Sequence, residues 1–309
     1  MDASLVGQLA ALVVSLLWTL CPLFFAAASM RIGALSVNAI RMVFAGLLLS
    51  IAHFFVLGRI IPAASTGQWF FMGLSGIVGL VIGDLCYFGA LMSLGPRLSL
   101  LIMATNPIFS LIAGWLALGE VLDGWSFIGI CVTLFGVLWV VAQRNGGKAK
   151  AEKRDSAKTS RGVLLGFAAA ICQGTGLVIS KYGMQFAASE GVPNLNPLSA
   201  TLMRMLVAVA VMWAGTAVFG KLPELFESFR DRKAVLQTFI GAVLGPFLGI
   251  WLSMVAISST ATGIAATLMS LMPVLVIPIL WIFYRQKTGW KGILGAIIAV
   301  SGVAIIFLA

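Results

Sequence analysis

The sequence predicts an all-α integral membrane protein with ten transmembrane helices arranged as two inverted five-helix repeats. Hydrophobic residues make up 61% of the 309 residues and charged residues only 10%, too few to cover the surface of a soluble domain. The apolar runs provide about ten bilayer crossings, each needing about 20 residues. The two halves of the chain also share one pattern of small residues and prolines.

The ten spans follow from the apolar runs, which lie at 5–29, 36–57, 67–93, 97–118, 124–143, 161–188, 198–219, 235–257, 261–284 and 289–308. The first run has no basic segment before it and is longer than a signal core, so we interpret it as a span. A basic linker, 144–160, separates a first repeat, 1–143, from a second repeat, 161–309. A short interfacial helix is predicted within 221–233.

The loop charges predict the orientation of the spans. Loops after odd-numbered spans hold sixteen of the twenty Lys and Arg residues, whereas the opposite loops hold only Arg59. Because cytoplasmic loops carry the basic excess, both termini are predicted to be extracytoplasmic in the cell (inner) membrane. This topology explains the net charge of +10, so nucleic acid is not expected as a partner. The four cysteines lie in apolar segments without metal-type spacing, and neither a metal nor a cofactor is expected.

The two halves of the chain match each other at several positions. An offset of 166 residues relates Ser75 to Gly241, Gly79 to Gly245, Gly83 to Gly249, Pro107 to Pro273, Gly129 to Gly295 and Gly136 to Gly302. Shorter offsets pair Arg41 with Arg204 and Trp18 with Gln173. Because each copy has an odd number of spans, the second must enter the membrane from the opposite face. Inverted repeats of this kind are typical of secondary transporters, whose binding sites lie between the copies.

Several segments also carry a family resemblance: "NAIRMVFAG" in span 2, "ATNPIFSLIAGWLALGE" in span 4, "LVISKYG" in span 6 and "LMSLMPVLVIPILWI" in span 9. With these motifs the chain resembles the EamA-type ten-helix members of the drug/metabolite transporter superfamily, over nearly its whole length. The resemblance implies a cavity lined by spans 1, 3, 4, 6, 8 and 9, with spans 5 and 10 behind it. The first repeat keeps the family's Leu118-Gly119-Glu120, whereas the second has Tyr284-Arg285-Gln286.

Charged residues inside the spans are candidates for substrate binding or coupling. Asp84 is the only acidic one, and a charge at this depth costs about 2.5–3.5 kcal/mol. Arg41, Lys181 or a substrate ammonium group is its expected partner; alternatively, the carboxyl is protonated and exchanges its proton during transport. Arg41 and Arg204 lie shallow enough either to reach the interface or to pair with a carboxylate of the protein or substrate. Lys181, if it points inward, would bind an anionic group.

Further candidates lie on the predicted lining helices. Pro107 and Pro273 remove backbone hydrogen bonds at matching places, and paired helix breaks indicate a binding site more strongly than a simple kink. The other candidates are polar or aromatic: Trp18, Tyr87, Asn106, Gln173, Trp251, Ser253 and Ser270. Packing against neighbours or lipid is the alternative role for each. His53 is predicted to lie at the interface.

These features predict a secondary-active transporter that exports small organic metabolites, such as amino acids, by alternating access around a midplane cavity. Proton-coupled export of drugs or organic cations, and flipping of lipid-linked sugars, are the alternatives. One histidine and one embedded acid do not make a catalytic centre, so an enzyme is not expected. The sequence lacks the GxxxxGK[ST] motif for nucleotides, so a solute or proton gradient is the expected energy source. The expected partners are a small-molecule substrate and membrane lipid.

Overall fold

The computed structural model describes residues 3–143, 156–186, 193–275, 277 and 289–308. Its helices are α1 (Ala3–Ile32), α2 (Ala34–Leu57), α3 (Thr66–Ser75), α4 (Asp84–Met103), α5 (Asn106–Leu118), α6 (Gly124–Gln143), α7 (Ser156–Gln185), α8 (Pro197–Val218), α9 (Leu222–Ser228), α10 (Arg232–Ala242), α11 (Ile250–Ser259), α12 (Thr262–Met269) and α13 (Trp290–Leu308). Two π-helical segments, Gly76–Gly83 and Val243–Gly249, join α3 to α4 and α10 to α11.

Nine helical stretches among the described residues are long and apolar enough to cross a membrane. A shorter apolar helix, Thr262–Leu275, occupies the start of the predicted ninth span. The rest of that span, except Ile277, lies outside the described residues, as does most of the predicted linker. The expected interfacial helix is α9, which ends at Ser228.

One predicted helix boundary is wrong. Helical backbone continues through the expected break at 95–97 to Met103, whereas the break expected beside Asn106 and Pro107 is present, at Ala104 and Thr105. Pro107 then falls in the first turn of α5, where a missing N–H breaks no helical hydrogen bond. Proline therefore begins a helix here rather than kinking one.

The second repeat contains the same break at the matching residues. The backbone N–H of Thr105 donates to the Ile102 carbonyl at 3.0 Å, and that of Leu271, 166 residues later, donates to Leu268 at 3.3 Å. Ile108 donates to Thr105 at 3.0 Å, and its equivalent Val274 donates to Leu271 at 2.9 Å. Both halves therefore replace the α-helical ladder with tighter three-residue turns just before α5 and within Thr262–Leu275.

The contact between α6 and α13 shows that the repeats are inverted. A β-carbon at Gly129 would lie 3.0 Å from the carbonyl oxygen of Gly302, and one at Gly136 would lie 2.7 Å from that of Gly295. Since Gly129 corresponds to Gly295 and Gly136 to Gly302, exchanging the halves maps one contact onto the other, as in a two-fold interface. The contacts also run in opposite directions along the chain, so the equivalent helices are antiparallel.

The two π-helical segments pack by the same symmetry. Gln173 of α7 faces Gly83, and its equivalent Trp18 of α1 faces Gly249. Glycine at position 249 leaves space for the Trp18 ring, and glycines at 79 and 176 let the two backbones approach closely, which is how helices associate where lipid provides no hydrophobic drive. The predicted equivalence of Trp18 and Gln173 is thus present in the packing. Each π-helical segment is covered by the first helix of the other repeat.

Substituting Gly136 with Ala tests the α6–α13 contact. The added β-carbon would collide with the backbone of Ala299, so we expect a loss of about 1–3 kcal/mol in the free energy of unfolding. Gly215→Ala is the matched control, because no atom lies within 4 Å of the position its β-carbon would take. Denaturation in detergent should show unchanged or slightly raised stability for this control. Equal stability of the two variants would contradict the close approach.

Candidate functional site

A cluster of polar side chains surrounds the beginning of α4. Asp84 forms an ion pair with the Arg41 guanidinium, and Gln173 Nε2 donates to Asp84 Oδ1 at 3.0 Å. Arg41 Nε in turn donates to Asn38 Oδ1 at 2.7 Å. The side chains of Arg41 and Asp84 are only 15% and 17% exposed. We call Asn38, Arg41, Asp84 and Gln173 the central cluster.

Local backbone geometry positions the central cluster. Asp84 follows directly after the π-helical segment Gly76–Gly83, a kind of distortion that is frequent at functional sites. Gly83 lies next to the amide, since a β-carbon there would be in van der Waals contact with Gln173 Nε2, at 3.4 Å. The Arg41 guanidinium lies 5.1 Å from the ring centre of Phe25, which adds a cation–π contact. Helices α2 and α7 thus bind the carboxylate of α4, and α1 packs against the guanidinium of Arg41.

A second charged group joins the two repeats at the end of α5. Lys181 Nζ donates to Glu120 Oε1 at 2.7 Å and to the Thr260 carbonyl oxygen at 2.7 Å. The other carboxylate oxygen of Glu120 accepts from Thr262 Oγ1 at 2.6 Å and from the Thr262 backbone N–H at 2.8 Å. The side chains of Lys181 and Glu120 are 11% and 14% exposed. We call Glu120, Lys181, Thr260 and Thr262 the terminal lock.

The terminal lock has a clear local origin. Gly119 has a φ of 65°, a left-handed conformation that ends α5 and turns the chain. Glu120 can then cap the beginning of α12, where the helix dipole favours a negative charge. The matching positions in the other halves are Ala26 and Gln286, of which Gln286 lies outside the described residues. The sequence therefore provides this Lys–Glu pair at one end of the molecule and no equivalent residues for it at the other.

Arg204 occupies the place of Arg41 in the second repeat but has different surroundings. It is 3% exposed, so the expectation that it reaches the interface is wrong. Its Nη1 contacts Met254 Sδ at 3.2 Å, and its Nε has no hydrogen-bond partner within the described chain. The residue at the position of Asp84 is Ile250. The two arginines are therefore equivalent in position and different in pairing.

Four other predicted site residues lie outside the central cluster. Tyr87 lies one turn beyond Asp84 on α4. Ser253 Oγ donates to the Ile250 carbonyl at 2.7 Å, and Ser270 Oγ donates to Thr267 at 2.8 Å, so both hydroxyls serve their own helices. Trp251 packs against Phe247, with 6.1 Å between the ring centres.

Two further polar residues have buried polar atoms. Asn106 opens α5, and its buried Oδ1 has no partner in the described structure. His53 is 1% exposed, with its Nε2 2.9 Å from Ser199 Oγ and its Nδ1 beside the carbonyl oxygen of Arg59, in the loop that follows α2. The hydrogen bond to Ser199 joins α2 to α8.

Sequence reasoning missed three residues that hold these groups: Asn38, Glu120 and Thr262. Arg41 and Lys181 were both candidate partners for Asp84. Arg41 is the observed partner, and Lys181 is paired with Glu120 instead. Leu118-Gly119-Glu120 was the available signal, since a glycine followed by an acid at a helix end can cap a neighbouring helix. Its partners on other helices could not be read from the motif.

The family described as the EamA-like transporter family matches residues 5–142 and again residues 160–308. The chain belongs to the EamA-like transporter family. No curated protein matches significantly. One solved structure, described only as a crystal structure of a protein, superposes with a TM-score of 0.73 and 19% identity, covering 100% of this chain and 98% of the other.

The family match confirms the two-repeat architecture and the transporter class. Members of the EamA-like transporter family are membrane transporters of the drug/metabolite type. This EamA protein is therefore a multi-pass membrane transporter. Its similarity in fold to the solved structure extends over the full length of both chains.

Proposed function

We propose that this EamA protein is a secondary-active exporter of small organic metabolites, such as amino acids or related solutes. The observation that carries the proposal is the terminal lock, which ties the end of α5 in the first repeat to α7, α11 and α12 of the second. In the alternating-access cycle of inverted repeats, one end is closed while the other opens. The four hydrogen bonds of the terminal lock hold the repeats together at one end, as a closed end in this cycle requires.

The central cluster is the proposed place of substrate contact and coupling. It lies where both repeats meet, with Gln173 from the second repeat bound to Asp84 of the first. Relative motion of the repeats changes this contact, because α7 must move against the π-helical segment beside Asp84. Trp18, in the equivalent position, contributes an aromatic surface that suits a small organic solute.

The orientation of the lock follows from the loop charges. The loops at the lock lie opposite the basic ones, so we infer that the lock closes the extracytoplasmic end. The C-terminus is then extracytoplasmic as well, so a reporter that fluoresces only in the cytoplasm should stay dark when it is fused after Ala309. Bright cytoplasmic fluorescence would reverse the assignment.

The pairing of Asp84 favours metabolite export over proton-coupled export of organic cations. A cation that used Asp84 would have to displace both Arg41 and Gln173, and removing a partner from a buried pair is strongly unfavourable. The carboxylate is thus already neutralised by the protein.

Comparing the metabolites released by cells tests the proposal. Cells that express the protein should accumulate specific small organic solutes in the medium, and cells expressing equal amounts of Asp84→Asn should not. This variant keeps an oxygen for Gln173 but loses the charge that holds Arg41. No difference in released metabolites between expressing and non-expressing cells would contradict export.

The same variant separates metabolite export from proton-coupled cation export. If Asp84 carried the coupled proton, wild-type export of organic cations would vary with external pH, and Asp84→Asn would abolish that variation. We expect no gain in resistance to organic cations from the wild-type protein at any pH tested. Resistance that depends on both pH and Asp84 would favour the cation exporter.

A further inference from the structure

Arg204 is a buried cation whose charge the described chain leaves uncompensated. Its guanidinium makes one contact through a side-chain acceptor, from Nη1 to the sulfur of Met254 at 3.2 Å. Thioether sulfur is a weak acceptor. Nε has no partner, and no carboxylate of the described residues forms an ion pair with Arg204. Within the membrane such a group is costly and is typically kept for a function.

Arg204 differs from Arg41 and Lys181 because it has no acidic partner among the described residues. Arg41 is paired with Asp84, and Lys181 is paired with Glu120. Arg204 occupies the position equivalent to Arg41, but the residue equivalent to Asp84 is Ile250, which cannot form an ion pair. Of the three cations that lie inside the predicted spans and away from their ends, two are thus neutralised in the described structure and Arg204 is not.

The unpaired edge of the guanidinium lies close to two glycines. Nε and Nη2 form one edge of the planar group, and Nη2 would lie 3.3 Å from a β-carbon at Gly79. That β-carbon would also lie 3.9 Å from the Cα atom of Gly176, so glycines of both repeats border this edge. The backbone of Arg204 is itself fixed, because Gly76 packs directly on its carbonyl oxygen. We call Gly76, Gly79, Gly176, Arg204 and Met254 the Arg204 site.

We propose that the Arg204 site binds an oxyanion of the transported solute, such as a carboxylate, through the Nε–Nη2 edge. A guanidinium edge matches two oxygens of a planar carboxylate and gives short, charge-assisted hydrogen bonds. The proposal rests on the proposed function and adds the class of substrate, a small organic acid or another solute with an anionic group. The anion reaches the site when the repeats separate, since Arg204 is buried in this conformation.

Thermal unfolding of the purified full-length protein tests the site with acetate as the probe. We expect sodium acetate to raise the unfolding midpoint of the wild type by about 2–4 °C relative to sodium chloride at equal ionic strength. Arg204→Met should unfold at a higher temperature than the wild type without acetate, because a buried apolar side chain replaces an unpaired charge. The acetate shift should be absent in this variant.

Arg59→Met is the matched control, because it removes an exposed arginine from a loop. It should keep the acetate shift. An absent shift in the wild type, or an equal shift in Arg204→Met, would overturn the proposal. So would a lower midpoint or failed folding of Arg204→Met without acetate, since that would show that the chain itself stabilises the charge.

Different results would disprove the proposed function and the proposed Arg204 site. Acetate binding that depends on Arg204, with no metabolites released by cells, would keep the site and remove the exporter. Released metabolites that all lack an anionic group, with no acetate shift, would keep the exporter and remove the site.

Discussion

Asp84→Ala is expected to lower the free energy of unfolding by about 3–5 kcal/mol and to abolish transport. The substitution leaves the Arg41 guanidinium without its counter-ion in a site where that side chain is 15% exposed. Breaking a buried pair by removing one partner typically has this large cost, because an uncompensated charge stays buried. Denaturant titration in detergent measures the loss, and the yield of folded protein should fall with it.

A double variant separates the structural role of the pair from its role in transport. Arg41→Met with Asp84→Leu removes both charges, and apolar replacement of a buried pair is often neutral for stability. We expect this variant to fold with close to wild-type stability and to transport nothing. Lys221→Ala is the control, since the Lys221–Glu224 pair has side chains 47% and 66% exposed and should matter little. A stable double variant that still transports would leave the central cluster with a purely structural role.

Lys181→Met is expected to open the end of the protein that the terminal lock closes. It removes charged hydrogen bonds to Glu120 and to the Thr260 carbonyl oxygen, each worth about 1.5–3 kcal/mol. Losing one such contribution shifts the ratio of closed to open conformations by about 10- to 150-fold, because 1.4 kcal/mol is a factor of ten. Cys172 is a half-buried free cysteine on α7, next to Gln173 of the central cluster. A hydrophilic maleimide should then label it faster in a background where the other three cysteines are alanine.

Exchanging the charges of the lock gives a sharper test than removing one. Lys181→Glu with Glu120→Lys keeps an ion pair, yet it faces the new acid toward the Thr260 carbonyl and the new lysine toward the Thr262 N–H. We therefore expect the exchange to label as fast as Lys181→Met. Labelling restored to the wild-type rate would show that charge pairing alone closes this end.

Much of the fold was predictable because its signals are local or periodic. The lengths of the apolar runs predicted the spans, and the 166-residue offset predicted where the second repeat would break its helix before Pro273. The predicted end of span 3 at 95–97 is wrong, because helical backbone continues through Pro96 to Met103. Glycine and proline together usually indicate the end of a helix, and here they do not end one.

The sequence by itself determined that this is a membrane transporter built from two repeats, since hydrophobicity, span number and family motifs are properties of the chain alone. Only the tertiary structure decided which charges meet. Asp84 and Arg41 are 43 positions apart, and Lys181 and Glu120 are 61 apart, so their pairing depends on how helices rotate and cross. The same packing left Arg204 buried without an acid, because the residue that follows Gly249 is isoleucine and not aspartate.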